Sequence, residues 1–322
     1  MVTKKKMLLL AATVFLGVYA LFAQTAKNQT LPLNLDQRFI LPLTSLEDEN
    51  FQEQLSEKLN SNPFWQQLIA EKRLAVGVVD MSNPYNVRYA AVNGNEMMYA
   101  ASLPKIAVLL AAEDAITKGE LVPTEEILSD MRLMISRSDN QATTRMIDRV
   151  GMKKIEQVVT APEYQLYDME AGGGLWVGKR YAASGIRNPD PMKGLSHAAT
   201  VMQVCRFYYL LANGKLINRE RSKHMLKMMV NPELHHKFVN SIDQLAPNAK
   251  VYRKSGSWRT YHSDSALVWG EGWRKYILVG LADDPAGEQI MRELVFAVED
   301  VLKAAPVLAQ QLEHGEDSSI RR

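Results

Sequence analysis

Cysteine is almost absent from this chain. Cys205 is the only one in 322 residues, so no intrachain disulfide can form. It lies in a segment, 196–211, that reads as a helix, beside Val204 and Phe207. A thiol in that setting is a packed core group rather than a nucleophile. Histidine is scarce as well. The six are scattered, and the one adjacent pair, His235-His236, has neither the spacing of a metal-binding helix nor an H-x-H-x-D form, which argues against metal chemistry. No cofactor is expected. A surplus of one charge is also missing. The formal net charge is +2, and it becomes −1 when the first 23 residues, with Lys4, Lys5 and Lys6, are set aside. Neither a nucleic acid nor an anionic membrane surface is implied as a partner. No internal repeat is present. The run Gly172-Gly173-Gly174-Leu175-Trp176 lacks the preceding strand, following helix and registered lysine of a phosphate-cradling loop, and Lys179 does not supply that pattern. It reads either as a flexible cleft wall, with Trp176 or Tyr181 facing a substrate, or as an ordinary loop.

What remains is ordinary for one enzyme-sized globular unit: 47% apolar and 23% charged residues. Residues 1–23 begin with a basic stretch and continue as a 17-residue uncharged run ending Ala20-Leu21-Phe22-Ala23. They are read as a signal peptide, or as an N-terminal anchor if uncleaved, which makes the protein exported and periplasmic or periplasm-facing. Membrane association is expected only in the uncleaved case. Residues 24–46 read as a linker, 47–306 as the catalytic domain and 307–322 as a polar, fraying tail; the unit is expected to be a monomer. Within the domain, 51–70 is an amphipathic helix interrupted near Pro63, and 74–81 and 87–92 are strands. A long helical block runs over 102–229. Residues 250–258, 265–269 and 276–282 are strands, and 287–303 is a closing helix. Strands at both ends with helices between them imply an α+β fold: an antiparallel sheet formed from both chain ends, with a flanking helical lobe.

Three short strings carry chemistry: Ser102-Leu103-Pro104-Lys105, Ser138-Asp139-Asn140 and Lys254-Ser255-Gly256. Each alone is weak; together they supply the parts for acyl transfer through a serine ester. A serine hydroxyl needs a base, and Lys105, at i+3 from Ser102, shares its helix face. The helix expected over 102–118 is apolar nearly all round, so it should be buried, and burial lowers a lysine pKa toward a useful base. Ser138 can relay a proton to a leaving nitrogen, because a hydroxyl both donates and accepts. Asn140 can orient Lys105 and a substrate amide. Lys254 offers a fixed cation for Ser138 and for a substrate carboxylate. Gly256 lets a substrate lie close to the strand, and the N–H of Ser257 can face a developing oxyanion. The plainer reading makes the same residues helix caps and a strand end.

At these residues the chain resembles the penicillin-recognising serine acyltransferases, most closely the class A β-lactamases, whose signature this motif set is. The resemblance implies that Ser102 is acylated, Lys105 activates it, Ser138 shuttles the proton and Asn140 binds substrate. Lys254-Ser255-Gly256 is similar to the family's K-T-G, with Ser255 keeping the hydroxyl on the substrate-binding strand. Two departures stand out. Only 36 residues separate Ser102 from Ser138, and no E-x-x-L-N string provides the glutamate that activates the deacylating water. Glu170 is the preferred substitute, and Glu163 has Tyr167 where the asparagine should follow. The function implied is β-lactam hydrolysis through an acyl-enzyme. The alternatives are a D-Ala-D-Ala peptidase, transpeptidase or esterase with the same site, or a β-lactam sensor that acylates without turnover. The partner is a small-molecule β-lactam or a cell-wall peptide.

Overall fold

The computed structural model describes residues 30–319, so the expected targeting segment lies outside the described residues. Helices α1 (Glu49–Asn60) and α2 (Pro63–Ala70) lead into strands β1 (Leu74–Asp80), β2 (Arg88–Val92) and the short β3 (Met98–Tyr99). A helical lobe follows: α3 (Lys105–Thr117), α4 (Glu125–Ser136), α5 (Asn140–Val150) and α6 (Met152–Val159). Four short strands, β4 (Tyr167–Asp168), β5 (Gly173–Gly174), β6 (Trp176–Val177) and β7 (His197–Ala199), precede α7 (Val201–Ala212), α8 (Arg219–Met229) and α9 (Phe238–Leu245). The chain closes with β8 (Lys250–Trp258), β9 (Tyr261–Trp269), β10 (Lys275–Asp283) and α10 (Gly287–Ser319).

The main sheet has the order β2-β1-β10-β9-β8 and is antiparallel throughout. The two strands from the front of the chain thus join three from its end, the α+β arrangement expected from the sequence. All seven residues of β1 are buried, so the sheet needs cover on both faces. Leu74, Val76 and Val78 pack with Phe51 and Leu55 of α1 and with Leu294 and Val298 of α10. Ala75 and Val79 point the other way, into the core that includes Phe207 of α7 and Leu109 of α3. Gly77 shares this second face: a Cβ there would lie 2.9 Å from Cys205 Sγ, which shows how closely α7 packs on the sheet. Cys205 is fully buried.

Helix α3 runs through the middle of the lobe with every residue from Lys105 to Ile116 buried. Burying Ile106, Val108, Leu109 and Leu110 contributes roughly 1.5–3 kcal/mol apiece, enough to carry three ionisable side chains inside with them. Two of these are paired: Glu113 with Arg221 and His224, and Asp114 with Lys154 at 2.7 Å. Lys105 is the third, and its partners belong to the site described below.

Several boundaries differ from the sequence reading. The helix expected from Ser102 starts at Lys105, because residues 101–104 form tight turns, with Lys105 N–H bonded to Ser102 O at 3.3 Å. The segment read as a helix from 196 instead begins as strand β7 pairing with β3 and β6, and only then enters α7 at its Thr200 cap. Strand β9 starts at Tyr261, not 265, because a two-residue turn, with Arg259 at φ 53°, joins it directly to β8. The described part of the linker is not loose: Leu43 is buried and Leu31, Leu33, Ile40 and Leu46 pack on the core. Helix α10 continues past Pro306 to Ser319, where a fraying tail was expected; the helix-favouring residues after the proline outlast its single lost N–H. The glycine run is not a cleft wall. Gly173 and Gly174 form β5, and a Cβ on Gly174 would meet Leu166 O at 2.2 Å, so the glycines serve close backbone approach. Among the described residues no helix is long and apolar enough to cross a membrane.

Candidate active site

The three strings come from elements far apart in sequence. Ser102 sits in the turn before α3, Ser138 and Asn140 in the turn entering α5, and Lys254 to Ser257 on β8, the edge strand of the sheet. The turns are tightly specified. Ala101 has φ 49° and Ser138 φ 58°, conformations that cost a non-glycine residue on the order of 1–3 kcal/mol each and persist only when the surroundings hold them. They are held. Ser263 Oγ donates to Ala100 O at 2.8 Å and Tyr181 Oη to Ala101 O at 3.0 Å. Asp139 caps α5 by accepting from Ala142 N at 2.6 Å, so the plainer reading of this string as a helix cap is also true.

Lys105 Nζ donates to Ser138 O at 2.6 Å and to Asn140 Oδ1 at 2.8 Å, with Ser138 Oγ at 3.4 Å. A neutral amine has two N–H bonds, which those first two acceptors can take, leaving a lone pair for a hydroxyl proton. Burial pushes the Lys105 amine down to about 7, with Asp139 opposing weakly. The free-base form of Lys105 is thereby brought within reach near neutral pH. Lys254 is buried too and donates to Ser138 Oγ at 2.9 Å and to Ser255 O at 2.6 Å. Its amine is pushed well down, first by burial and then by the charge of Lys105. Ser138 Oγ thus lies between two amines, a geometry in which its proton can be passed in either direction.

Gly256 is the point of closest approach between sheet and turn. A Cβ there would lie 2.4 Å from Ala100 O and 2.5 Å from Ser102 N, so only glycine lets β8 lie against the backbone of Ser102. The arrangement brings the N–H of Ser102 and that of Ser257 to the same neighbourhood, where two donors can meet one developing oxyanion.

These groups open onto a cleft of about 730 Å3, lined by Ser102, Asn140 and Ser257, with Tyr99, Trp258 and Tyr261 as aromatic walls and Lys179, Arg180 and Arg187 on a loop opposite. Tyr181 also lines it. Its ring lies over Lys105 Nζ at 4.5 Å and stacks on His197 at 4.2 Å, with the planes 1° apart. Burial lowers the His197 imidazole to about 4, followed by the nearby Lys105 charge, so it stays neutral and adds no cation. Among the described residues no aspartate or glutamate lines this cleft.

Of the residues singled out from sequence, Ser102, Lys105, Ser138, Asn140, Lys254, Gly256 and Ser257 meet here. Ser255, beside Lys254 on β8, is buried, with Oγ 3.4 Å from His236 Nε2. Glu170 is exposed on the turn joining β4 to β5, a turn held by Asp168, and does not line the cleft. Glu163 is likewise exposed and outside it. Of the two aromatic candidates Tyr181 reaches the cleft, whereas Trp176 is buried and donates to Asn188 O at 2.7 Å. Sequence reasoning missed His197 and Lys237, since neither belongs to a spaced motif. Among the described residues no group of three or more His, Cys, Asp or Glu could hold a metal ion.

Solved structures share this architecture. A β-lactamase from Sphaerobacter thermophilus is 17% identical, with 79% of this chain and 95% of that one covered at a TM-score of 0.58. A β-lactamase from Chitinophaga pinensis is 16% identical, with 80% and 99% covered at 0.57. A structure of PBP-A is 18% identical, with 80% and 97% covered at 0.59. At such identities the likeness concerns the fold. No curated protein matches the sequence. The model of the β-lactamase enzyme family matches residues 128–301, just over half of the chain, including Ser138, Asn140 and Lys254. Taken with a fold of the β-lactamase and transpeptidase kind, that match identifies the chain as a member of the β-lactamase enzyme family.

Proposed function

We propose that the protein is a serine hydrolase that forms an acyl-enzyme on Ser102 from β-lactams and releases it slowly. The observation that carries this reading is Ser138 Oγ held between Lys105 and Lys254 at 3.4 and 2.9 Å, with Lys105 three residues along the chain from Ser102. Ser102 Oγ adds to the lactam carbonyl while its proton passes to Lys105. The oxyanion collapses, the C–N bond breaks, and the nitrogen takes a proton from Ser138, which is resupplied from Lys105. Lys254 holds Ser138 Oγ in place, while Lys179, Arg180 and Arg187 on the cleft wall supply positive charge for the substrate carboxylate. In the second half a water must add to the ester and return a proton to Ser102. That water needs a base, and among the described residues no carboxylate lines the cleft.

Kinetics should therefore show a burst approaching one equivalent of a chromogenic cephalosporin, followed by slow turnover. A missing general base costs about 10²–10⁴ in rate. Intact-mass measurement should find the adduct accumulated, and Glu170→Gln should leave its decay unchanged. Fast hydrolysis without a burst would overturn the slow second step. Gly256→Ala tests the geometry: the added Cβ must displace Ala100 or Ser102, and a misplacement of about 1 Å can cost about 10²-fold. The labelling rate by a fluorescent penicillin should fall by about that factor.

The cleft supports a second reading, the cell-wall peptide. Its volume lies in the upper part of the roughly 300–1,000 Å3 range of ligand sites, and its aromatic and cationic walls extend well beyond Ser102. Release of D-alanine from an acyl-D-Ala-D-Ala peptide would favour it. Residues 1–23 support export to the periplasm, where both substrates are met.

A further inference from the structure

Lys237 is a fully buried lysine that the acylation chemistry above does not use. It caps α9 in a left-handed backbone conformation, φ 54°, that only a well-determined environment maintains for a lysine. Its ammonium has three acceptors: Gly256 O at 2.5 Å, Ser257 Oγ at 2.8 Å and Ser263 O at 3.1 Å. The carboxylate that acts most strongly on it, Asp264, is engaged by Arg253, with Nε to Oδ1 at 2.7 Å and Nη2 to Oδ2 at 2.8 Å. Lys237 therefore spends its charge chiefly on neutral oxygens. A buried cation is costly when it is not ion-paired, which makes its placement against one particular peptide informative.

The C=O of Gly256 and the N–H of Ser257 belong to the same peptide unit. That unit is trans, as are all peptides among the described residues, so its two dipolar ends point in opposite directions. The carbonyl end meets Lys237 inside the protein, and the N–H end belongs to Ser257, which lines the cleft beside Ser102. We propose that Lys237 is a positioning residue that polarises the Gly256–Ser257 peptide from behind and so strengthens the Ser257 N–H as an oxyanion donor. A cation bonded to the carbonyl withdraws electron density through the amide resonance, leaving the N–H more positive; hydrogen bonds in series reinforce one another in this way. The effect arises where the dielectric is low and no water competes, as around Lys237. The same ammonium also ties Ser257 Oγ and β9 together, which fixes the direction of the N–H. The step served is the one proposed above: negative charge gathers on the former lactam carbonyl oxygen as Ser102 Oγ adds, and returns to the ester carbonyl when the C–N bond breaks.

This inference rests on acylation at Ser102, and the test separates the two. Penicillin G carrying ¹³C at the lactam carbonyl is mixed with the full-length protein, and the ester carbonyl stretch of the adduct is recorded by infrared difference spectroscopy. Stronger donation to the carbonyl oxygen lowers that frequency. Lys237→Met and Lys237→Gln, either of which suffices if it melts as a folded protein, should raise the frequency. They should also slow the maximal acylation rate about tenfold with little change in half-saturation, a fraction of the roughly 10²–10³ lost with a whole oxyanion-hole donor. Lys237→Arg, which keeps the charge and its donors, should restore both. An adduct whose carbonyl frequency is that of the wild type in a folded, uncharged variant overturns the inference and leaves acylation standing. A wild-type protein that forms no adduct at all overturns the acylation reading instead.

Discussion

Replacing Ser102 by alanine is expected to abolish covalent labelling by a fluorescent penicillin altogether. Ser102 lines the cleft and has Lys105 one turn away. The other hydroxyls nearby are committed: Ser138 Oγ to Lys254 at 2.9 Å, Ser257 Oγ to Lys237 at 2.8 Å and Ser263 Oγ to Ala100 O at 2.8 Å. Cys205 is fully buried, and burial pushes its thiol pKa well up, so no thiolate stands in as nucleophile. The substitution removes one oxygen from a partly exposed turn, so the protein should melt close to the wild-type temperature. Labelling of the alanine variant at any rate comparable to wild type would mean that the ester forms elsewhere.

Lys105→Ala is expected to slow acylation by about 10²–10⁴, or about 3–5 kcal/mol of barrier, the usual worth of a positioned general base. The pH dependence follows from its environment. Burial lowers the Lys105 amine to about 7, and the base form is the neutral one. Acylation should therefore rise with pH through about 7 in the free enzyme and level off above it. The alanine variant should lack that limb, because the group that titrates there is gone. A rising limb near 7 that survives the substitution would assign the base to another residue. The loss of Lys105 also frees Ser138 O and Asn140 Oδ1, two acceptors it now satisfies. A melting curve recorded beside the rates separates lost chemistry from a loosened turn.

The absent carboxylate bears on both experiments. Labelling reports acylation alone, whereas hydrolysis rates fold in the second step. In the cleft, the place beside Lys105 is taken by the Tyr181 ring, on which the neutral His197 is stacked, and burial holds the Tyr181 phenol protonated at neutral pH. Acylation and turnover should be measured separately for every variant.

The sequence by itself determined what depends on near neighbours. The strand runs of β1, β8 and β10, the buried character of α3, and the pairing of Ser102 with Lys105 across one turn all follow from period, propensity and burial within a dozen residues. So did the motif set, because each string carries its own chemistry and local setting. The tertiary structure decided what joins residues distant in the chain. Lys254 reaches Ser138 across 116 positions, and Lys105 reaches Asn140 across 35. No periodicity encodes that Lys237 would bond Gly256 O, that Tyr181 would cover Lys105, or that Glu170 would not line the cleft. Those outcomes rest on where a short hairpin lies and on how a left-handed residue aims its side chain. Both are set by packing of the whole fold, where a shift of one residue in register turns a strand's side chains to the opposite face.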